Sequence, residues 1–362
     1  MRNPASLPET QLPLMGVGAQ VFNDFRSWGL DSQFSSIFMT GASGLVGRWV
    51  LSTLDALNLV IGQRSDVFVL VRNESRARQV LSNLSSLNLH FISRIEIERT
   101  IAQNVPEHIW HFAAETGSSS TTSALNSLNA DCALSIEICR AVDRSNRPTR
   151  ILYTSSGAVY GRDSAPIAAL PLQTPISDTI DFQMLLYGHG KVTSEMLFGA
   201  MAERDSVTVN IARLFSFIGP LMPLTSHFAM GNFLDAAKSG RKIVLNSTGE
   251  ALRSWMYLGD LARMLLLLAS QPSSNIVDVG SEESMSVREA AHVVAEIAGL
   301  DVEVGSQHNP SGSSMNYVPD LTALRSLGPL PSVLSLREAI STTLEWLMAE
   351  GGGFEPPRSL HP

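Results

Sequence analysis

The most informative stretch of the sequence reads Thr40-Gly41-Ala42-Ser43-Gly44-Leu45-Val46-Gly47. It follows a short apolar run at 37–40, and apolar residues recur after it at the spacing of a helix. Gly41 permits a tight turn between strand and helix, Gly44 lets a pyrophosphate approach the backbone, and Gly47 permits close packing of the helix on the sheet. Because the free N–H groups at a helix N-terminus attract anions, the stretch predicts a dinucleotide-binding turn.

Strands and helices alternate over most of the chain. A buried-type strand at 66–71 follows the first helix and completes a strand–helix–strand unit. Further strands are predicted at 109–113, 150–155, 207–214 and 275–279, and further helices at 21–28, 124–142, 187–201, 287–298 and 336–348. Asp260 is expected to cap a helix that starts at Leu261. The alternation predicts an α/β protein whose parallel sheet is covered by helices on both faces.

The end of the second strand bears on which dinucleotide is bound. An acid at that point would bind the free 2′-hydroxyl of NAD, whereas an arginine would suit the 2′-phosphate of NADP. The sequence there is Val71-Arg72-Asn73, without an acid. We therefore predict NADP or NAD with a preference for NADP. The alternative interpretation of Arg72 is a solvated residue at a strand end.

A tyrosine and a lysine are four positions apart in Tyr187-Gly188-His189-Gly190-Lys191. On a helix, side chains with this spacing share one face. A tyrosine normally titrates near pH ~10, so an adjacent ammonium and a positive nicotinamide would be needed to stabilise its anion. Ser156 lies in a serine-rich segment after a predicted strand, at the edge where α/β sheets bind ligands. We predict Tyr187 and Lys191, together with a hydroxyl of this serine-rich segment, as the catalytic residues.

The composition of the 362 residues predicts a folded protein with a large core, since 44% are hydrophobic and 17% are charged. The formal net charge of -8, without a run of Lys or Arg, argues against a nucleic-acid surface. Cys132 and Cys139 lie on one predicted helix at a Cα separation of ~10 Å, beyond the reach of a disulfide. Two cysteines with this spacing also predict no zinc site.

The sequence carries no sign of export or of a membrane span. Residues 1–15 contain Pro, Glu and Gln where a secretory signal would have an apolar block. The most apolar run, 264–269, is too short to span a bilayer. The expectation is a cytoplasmic enzyme that has no metal site and binds neither membranes nor nucleic acid.

Several further motifs occur in the order found in a known family. They are HFAAE at 111–115, similar to HxAA; SSGAVYG at 155–161, similar to SSxxVYG; RLFSFIGP at 213–220, similar to RxxNxxGP; and RSWMYLGD at 253–260, similar to R(D/S)xxYVxD. Together with the glycine stretch, similar to TGxxGxxG, they extend the likeness over about 36–348. The chain resembles the extended short-chain dehydrogenases/reductases of the NAD-dependent epimerase/dehydratase type, which modify nucleotide sugars.

This resemblance implies a Rossmann-type doubly wound parallel sheet with a smaller, discontinuous C-terminal substrate domain. The implied organisation is an N-terminal arm at 1–35, a cofactor-binding domain at 36–215 plus 252–280, a substrate-binding domain at 216–251 plus 281–348, and a disordered tail at 349–362. The implied assembly is a homodimer.

The resemblance also implies a role for each site residue. Tyr187 would be the general acid/base, Lys191 would lower its pKa and hold the nicotinamide ribose, and Ser156 would bind the reacting sugar oxygen. Arg253 would grip the nucleotide diphosphate with its guanidinium fork, with Asn232 as a second contact. The implied cofactor-binding residues are Gly41, Ser43, Gly44, Leu45, Gly47, Arg72, Ala113, Ala114, Tyr187 and Lys191.

The chain departs from the family pattern at several positions. Sugar 4,6-dehydratases of the family carry an Asp-Glu pair directly after the catalytic hydroxyl, and Gly157-Ala158 stands there instead, which disfavours that reaction. Arg94 occupies a position where an acid often meets adenine, and Ser216 replaces the Asn of RxxNxxGP. Glu115 is predicted to face the substrate, either as a second acid/base or as a solvated loop carboxylate.

We therefore predict a nucleotide-sugar epimerase or 4-ketoreductase. In an epimerase the hydride returns to the same substrate, whereas in a ketoreductase it comes from exchangeable NADPH. Two alternatives are an NADPH-dependent carbonyl reductase that acts on a non-sugar substrate and a dinucleotide-sensing module without catalysis.

Overall fold

The structure, a computed structural model, describes residue 12 and the ranges 16–31, 33–104, 106–114, 121–161, 182–224, 228–305 and 316–351. The strands are β1 (Ser36–Thr40), β2 (Ser65–Leu70), β3 (Leu87–Ile92), β4 (His108–His111), β5 (Thr149–Ser156), β6 (Val207–Leu214), β7 (Ser216–Ile218), β8 (Ile243–Leu245), β9 (Leu252–Tyr257), β10 (Asn275–Val279), β11 (Ser284–Ser286) and β12 (Val302–Val304). The helices are α1 (Val17–Trp28), α2 (Leu45–Ile61), α3 (Glu74–Val80), α4 (Ile97–Asn104), α5 (Thr121–Ser145), α6 (Phe182–Met201), α7 (Ala229–Lys238), α8 (Leu258–Ala269), α9 (Val287–Ala298), α10 (Thr322–Arg325) and α11 (Leu336–Gly351). Two short 3-10 helices, η1 (Arg94–Glu96) and η2 (Gly157–Tyr160), follow β3 and β5.

Seven strands form the central sheet in the spatial order β10-β6-β5-β4-β1-β2-β3. Every neighbouring pair of these strands is parallel. The first six strands have the order of the doubly wound α/β fold, in which ligands bind at the carboxyl ends near the switch between β1 and β4. The predicted Rossmann-type α/β fold is therefore confirmed.

The inner strands β1, β4, β5 and β6 are buried on both faces over most of their length, which explains their apolar runs. Along β1, Ile37 and Met39 belong to the hydrophobic cluster that includes α1, α2 and α8. Phe38, between them, belongs to the second cluster, which includes α4, α5 and α6. Because alternate side chains of a strand point to opposite faces, the two clusters lie on opposite sides of the sheet.

Two element boundaries differ from the prediction for identifiable reasons. β4 ends at His111, before the predicted residue 113, because the Ala113 N–H donates to the Thr40 hydroxyl (3.1 Å). α8 starts at Leu258, so the prediction that Asp260 caps a helix starting at Leu261 is wrong. Asp260 lies inside the first turn and forms an ion pair with Arg263 (2.8 Å).

The first described helix, α1, packs into the body of the protein rather than standing apart as an arm. Val21 and Phe25 are buried in the same cluster as α2. Gly18 lies so close to α2 that a Cβ there would be 2.2 Å from the carbonyl oxygen of Ala56. Asp24 forms an ion pair with Arg263 of α8 (2.9 Å). The segment is thus tied to two helices of the sheet-bearing part.

Two small sheets lie outside the central one. β7, β9 and β11 form a three-stranded sheet, and β8 pairs with β12. β9 therefore belongs to a small sheet, while α8, which directly follows it, packs on the central sheet through residues such as Leu265 and Leu266. Within the described ranges, no helix is both long and apolar enough to cross a membrane.

Candidate functional site

The turn between β1 and α2 needs glycine at two positions for reasons internal to the fold. Gly41 has a φ of 72°, in the left-handed region that favours glycine. A Cβ on Gly41 would lie 2.6 Å from the backbone nitrogen of Ala113, at the end of β4. A Cβ on Gly47 would lie 2.2 Å from the carbonyl oxygen of Gly41. These two glycines close the turn and seat α2 on the sheet.

Gly44 is different because little of the protein surrounds it. It is exposed, forms the N-cap of α2 without a side-chain hydrogen bond, and a Cβ there would meet only the Gly41 carbonyl oxygen, at 3.2 Å. The absence of a side chain and the helix N-terminus together fit the pyrophosphate of a dinucleotide.

The other residues predicted to bind the cofactor lie at the same edge of the sheet. Ser43 and Ala114 are exposed, and Leu45 and Ala113 are half-buried. Arg72 is exposed and follows the end of β2, where the adenosine ribose is expected. Glu115 lies outside the residues that the structure describes.

Arg94, at the position where an acid often meets adenine, turns away to α5. Its guanidinium forms hydrogen bonds of 2.7–3.1 Å with both carboxylate oxygens of Glu137. The positive charge of Arg94 is therefore balanced by the carboxylate of Glu137.

Ser156, Tyr187 and Lys191 come together at the carboxyl end of β5. The buried Ser156 side chain interacts with the Tyr187 phenol and lowers the pKa of Tyr187. Lys191 lies one helical turn after Tyr187, and its Nζ is 5.8 Å from the centre of the Tyr187 ring. The same ammonium donates to the carbonyl oxygen of Thr154 (3.1 Å). The hydroxyl, phenol and ammonium form one continuous cluster.

Burial is the largest influence on the proton affinities in this cluster. It raises the pKa of Tyr187, Asp131 and Tyr317 add to that increase, and the hydrogen bond to Ser156 opposes it. Burial lowers the pKa of Lys191, whereas Asp131 and Glu195 attract its charge and raise the pKa. Desolvation thus raises the pKa of the Tyr187 phenol. A positive charge next to Tyr187 must therefore lower this pKa from a higher starting value than that of a free tyrosine.

The structure adds Tyr317, which sequence reasoning missed. Its hydroxyl lies 3.2 Å from Ser156 Oγ and donates to the carbonyl oxygen of Leu214 (3.3 Å). Its ring centre is 4.7 Å from that of Phe215. A Cβ on Gly157 would meet both rings, at 2.8 and 2.9 Å, so glycine at that position leaves room for Tyr317.

A chain of buried polar groups behind Ser156 was also missed. Glu195, one turn after Lys191 on α6, forms a two-point ion pair with Arg213 at 2.7 and 3.0 Å. Ser155 donates to the same carboxylate (2.5 Å). Arg213 also donates to the Tyr160 hydroxyl (2.9 Å), which donates to Asp278 (2.7 Å). These residues lie on separate elements and far apart in the chain. The sequence therefore contained no spacing from which their contacts could be predicted.

The two predicted diphosphate contacts are placed differently. Arg253 is half-buried on β9, and its guanidinium carbon is 6.0 Å from the Tyr317 ring centre, which brings it near the Ser156 cluster. Asn232 has an exposed side chain on α7. Arg253 is thus linked to the cluster through Tyr317.

Comparison with known sequences identifies a family. A model of the NAD-dependent epimerase/dehydratase family matches residues 37–280. UDP-glucuronic acid decarboxylase 2 of Arabidopsis thaliana is 23% identical over 327 residues, which cover 86% of this chain and 68% of that protein. UDP-glucuronic acid decarboxylase 1 of Xenopus tropicalis is 24% identical over 164 residues, which cover 45% of this chain and only 39% of that protein.

Solved structures of low sequence identity share the fold. A UDP-N-acetylglucosamine 4-epimerase from Methanobrevibacter ruminantium, solved with UDP-N-acetylmuramic acid, has a TM-score of 0.71 at 19% identity, and the match covers 88% of this chain and 99% of that one. A UDP-glucuronic acid 4-epimerase from Bacillus cereus, solved with a UDP-sugar and NAD, has a TM-score of 0.69 at 16% identity and covers 86% and 98%. Because the family model spans most of the chain, this protein belongs to the NAD-dependent epimerase/dehydratase family of enzymes, as its motifs predicted.

Proposed function

We propose that the protein interconverts a hydroxyl and a keto group on a nucleotide sugar, as an NAD(P)-dependent epimerase or 4-ketoreductase. One observation carries the proposal. The side chains of Ser156, Tyr187 and Lys191 converge at the same sheet edge as the glycine turn: Ser156 interacts with the Tyr187 phenol and lowers its pKa, and the Lys191 Nζ lies 5.8 Å from the centre of the Tyr187 ring. A hydroxyl, an acid/base and a fixed charge are the groups that proton transfer to a sugar oxygen requires.

In the proposed reaction the phenol oxygen of Tyr187 exchanges a proton with the sugar oxygen, which the Ser156 hydroxyl holds. The dinucleotide, when bound, supplies the hydride chemistry. Lys191 stabilises the phenolate electrostatically and thereby opposes the burial that raises the pKa of Tyr187. The protein thus contributes orientation and proton transfer.

The cofactor is proposed to lie across the glycine turn, with Ser43, Gly44 and Leu45 at its pyrophosphate. Arg72 supports NADP, because an exposed guanidinium at the end of β2 suits a 2′-phosphate. NAD is the dinucleotide present in the related structure from Bacillus cereus. Titration with each dinucleotide decides between them: if NADP is the cofactor, Arg72→Ala weakens NADP binding and leaves NAD binding unchanged.

A UDP-sugar is the proposed substrate, since the related proteins include UDP-glucuronic acid decarboxylases and a UDP-N-acetylglucosamine 4-epimerase. Arg253 would hold the diphosphate, with Asn232 as a second contact and Glu115 near the sugar. Residues 216–251 plus 281–348 are proposed to form the substrate-binding part and 36–215 plus 252–280 the cofactor-binding part.

The proposal is tested by denaturing purified protein, identifying the released small molecules by mass spectrometry, and then assaying a panel of UDP-sugars. A retained dinucleotide and interconversion of two sugars indicate an epimerase, whereas stoichiometric NADPH consumption indicates a ketoreductase. Tyr187→Phe should reduce turnover by at least about a hundredfold, because general acid/base catalysis contributes that much or more. Undiminished turnover in Tyr187→Phe would exclude the proposed site.

Arg253→Ala separates the nucleotide-sugar proposal from reduction of a non-sugar carbonyl. Loss of a buried or half-buried guanidinium–diphosphate contact should raise KM for the UDP-sugar more than tenfold. Unchanged KM would favour a non-sugar substrate. A protein that binds dinucleotide but turns over neither class of substrate would favour the sensing module.

We also propose a cytoplasmic homodimer that associates through α5 and α6. Each of these helices exposes a large apolar side chain, Leu125 on α5 and Met196 on α6, with exposed fractions of 49% and 71%. The two helices pack on each other, since a Cβ on Gly190 would lie 2.9 Å from Leu128. A contiguous exposed apolar patch marks an interaction surface, and the proposal is that Leu125 and Met196 belong to one such patch.

A further inference from the structure

The ammonium of Lys191 lies inside the protein, with only 2% of the residue exposed. Among the residues that the structure describes, it donates a hydrogen bond to the Thr154 carbonyl oxygen at 3.1 Å. An ammonium has three donors and loses strong hydration when it leaves water. One carbonyl replaces a small part of that hydration, so other groups must keep the charge stable.

Two carboxylates, those of Asp131 and Glu195, attract the charge of Lys191 and raise its pKa. Of these two, Glu195 is also bound by other groups. Its two oxygens accept from Arg213 at 2.7 and 3.0 Å, and one of them also accepts from Ser155 at 2.5 Å. Its charge is thus largely balanced by the guanidinium. Burial remains the largest influence on Lys191 and lowers its pKa.

The ring of Tyr153 lies closer to the Lys191 ammonium than the ring of Tyr187 does. Lys191 Nζ is 5.0 Å from the centre of the Tyr153 ring, compared with 5.8 Å for the Tyr187 ring. A cation within about 6 Å of a ring centre is attracted by the ring quadrupole, most strongly where both are desolvated. Tyr153 is 1% exposed, so this condition is met.

The Tyr153 ring is also held in place. Its centre is 5.3 Å from the stacked His111 ring and 5.0 Å from the Phe198 ring. Burial lowers the pKa of His111 to about 3, so this imidazole is neutral and does not repel the ammonium. Neighbours on two other elements, β4 and α6, therefore fix the ring beside the lysine.

We propose that Tyr153 is a positioning residue whose ring face keeps Lys191 charged and seated on the Thr154 carbonyl, beneath the phenol of Tyr187. The proposal rests on the proposed function in one respect, the catalytic role of Lys191. Its physical content, the stabilisation of a buried ammonium by a ring, does not depend on which sugar is turned over.

The groups that influence the Lys191 charge come from four elements. They are Tyr187 and Glu195 on α6, Asp131 and Cys132 on α5, His111 on β4, and Tyr153 on β5. A substitution of Tyr153 leaves these other residues in place. A change in the pKa of Lys191 in such a variant therefore measures the effect of the Tyr153 ring.

The sequence makes a direct measurement practical, because it contains only three lysines, Lys191, Lys238 and Lys242. The full chain is labelled with ¹³C,¹⁵N-lysine, and the side-chain signals are followed by NMR from pH 6 to 11. Lys191→Met assigns the signal. Lys238 and Lys242 are exposed and serve as internal references. The variants are Tyr153→Phe, which keeps the ring, and Tyr153→Leu, which removes it.

We expect Tyr153→Leu to lower the titration midpoint of Lys191 by about one pH unit, and Tyr153→Phe to leave it within about 0.3 unit. Phe198→Leu is the matched control, since it removes a buried ring from the same cluster that contacts Tyr153 rather than the ammonium. In the enzyme assay the alkaline limb of the pH profile should move with the Lys191 midpoint. Circular dichroism checks the fold, and Tyr153→Met replaces the leucine variant if that variant does not fold.

Wild-type titration of Lys191 in Tyr153→Leu would overturn the proposal. Equal shifts in Tyr153→Leu and Phe198→Leu would also overturn it, because they would indicate general packing. The NMR titration needs no substrate. A shifted Lys191 in a protein without sugar turnover would therefore contradict the proposed function and leave this inference standing.

Discussion

The hydroxyl of Ser156 lies between two phenols, those of Tyr187 and Tyr317. Tyr317 approaches through the space that Gly157 leaves beside Phe215. A contact with the Tyr317 hydroxyl restricts the orientation of the Ser156 hydroxyl, and orientation matters for the proposed role of Ser156 in holding a reacting oxygen. The residue directly after Ser156 thus decides which side chain can reach it.

Tyr317→Phe tests this contact because it removes the hydroxyl and keeps the ring against Phe215. A neutral hydrogen bond contributes about 1 kcal/mol, so kcat should fall roughly fivefold. The control is Tyr257→Phe, since the buried Tyr257 hydroxyl finds no hydrogen-bond partner among the described residues. Steady-state kinetics of the two variants would contradict the role of Tyr317 if both matched the wild type.

At the scale of elements, one ion pair connects α6, the helix of Tyr187 and Lys191, to the sheet. Glu195 of α6 and Arg213 at the end of β6 are paired at 2.7 Å, with 8% and 20% of their side chains exposed. Arg213 continues through Tyr160 to Asp278 of β10. Side chains therefore join α6, β6, η2 and β10, of which β6 and β10 are also paired through their backbones.

Glu195→Gln should destabilise the protein by about 3 kcal/mol, because it leaves the mostly buried guanidinium of Arg213 without its counter-charge. The matched control is Glu137→Gln. Its pair with Arg94 has 38% and 52% of the two side chains exposed, and an exposed pair contributes about 0–1 kcal/mol. Urea unfolding measures both changes, and equal losses in the two variants would show that burial of the pair is unimportant.

At the scale of the whole molecule, two buried histidines make stability depend on pH. Burial lowers the pKa of His108 and of His111 to about 3. In the unfolded chain a histidine titrates near ~6.5. Between these values the unfolded state binds more protons, so the free energy of unfolding decreases as the pH falls.

We expect stability to decrease between pH 6.5 and 5 by up to about 1.4 kcal/mol per pH unit for each buried histidine. His111→Gln removes one of the two groups and should halve the slope. His189→Gln is the control, because His189 is exposed. Urea unfolding at three pH values gives the slopes, and an unchanged slope in His111→Gln would show that the folded protein protonates this residue readily.

The proposed dimer is tested at the same scale. Met196→Lys places a charge on the exposed apolar face of α6 and should convert a dimer to a monomer in light scattering after size exclusion. The control is Val304→Lys on β12, where the native side chain is 40% exposed. A monomeric wild type would contradict the proposed dimer, and a dimeric Met196→Lys variant would show that the subunits associate through another surface.

The sequence by itself determined the elements and the chemistry that is local in the chain. Short apolar runs predicted β1, β2, β4, β5, β6 and β10, helical spacing predicted the longer helices, and three glycines in one turn predicted a dinucleotide site. Tyr187 and Lys191 share a helix face at any place in the fold, so their pairing was also readable. Such features depend only on backbone geometry within a few residues.

Tertiary structure alone decided what surrounds those features. Tyr317 reaches Ser156 across 161 positions, and Glu195 meets Arg213 only because α6 packs beside β6. Burial, which sets the direction of the pKa of Tyr187 and of Lys191, is likewise a property of the packed molecule. Contacts between distant segments follow from how elements are placed relative to one another, and no short-range pattern encodes that placement.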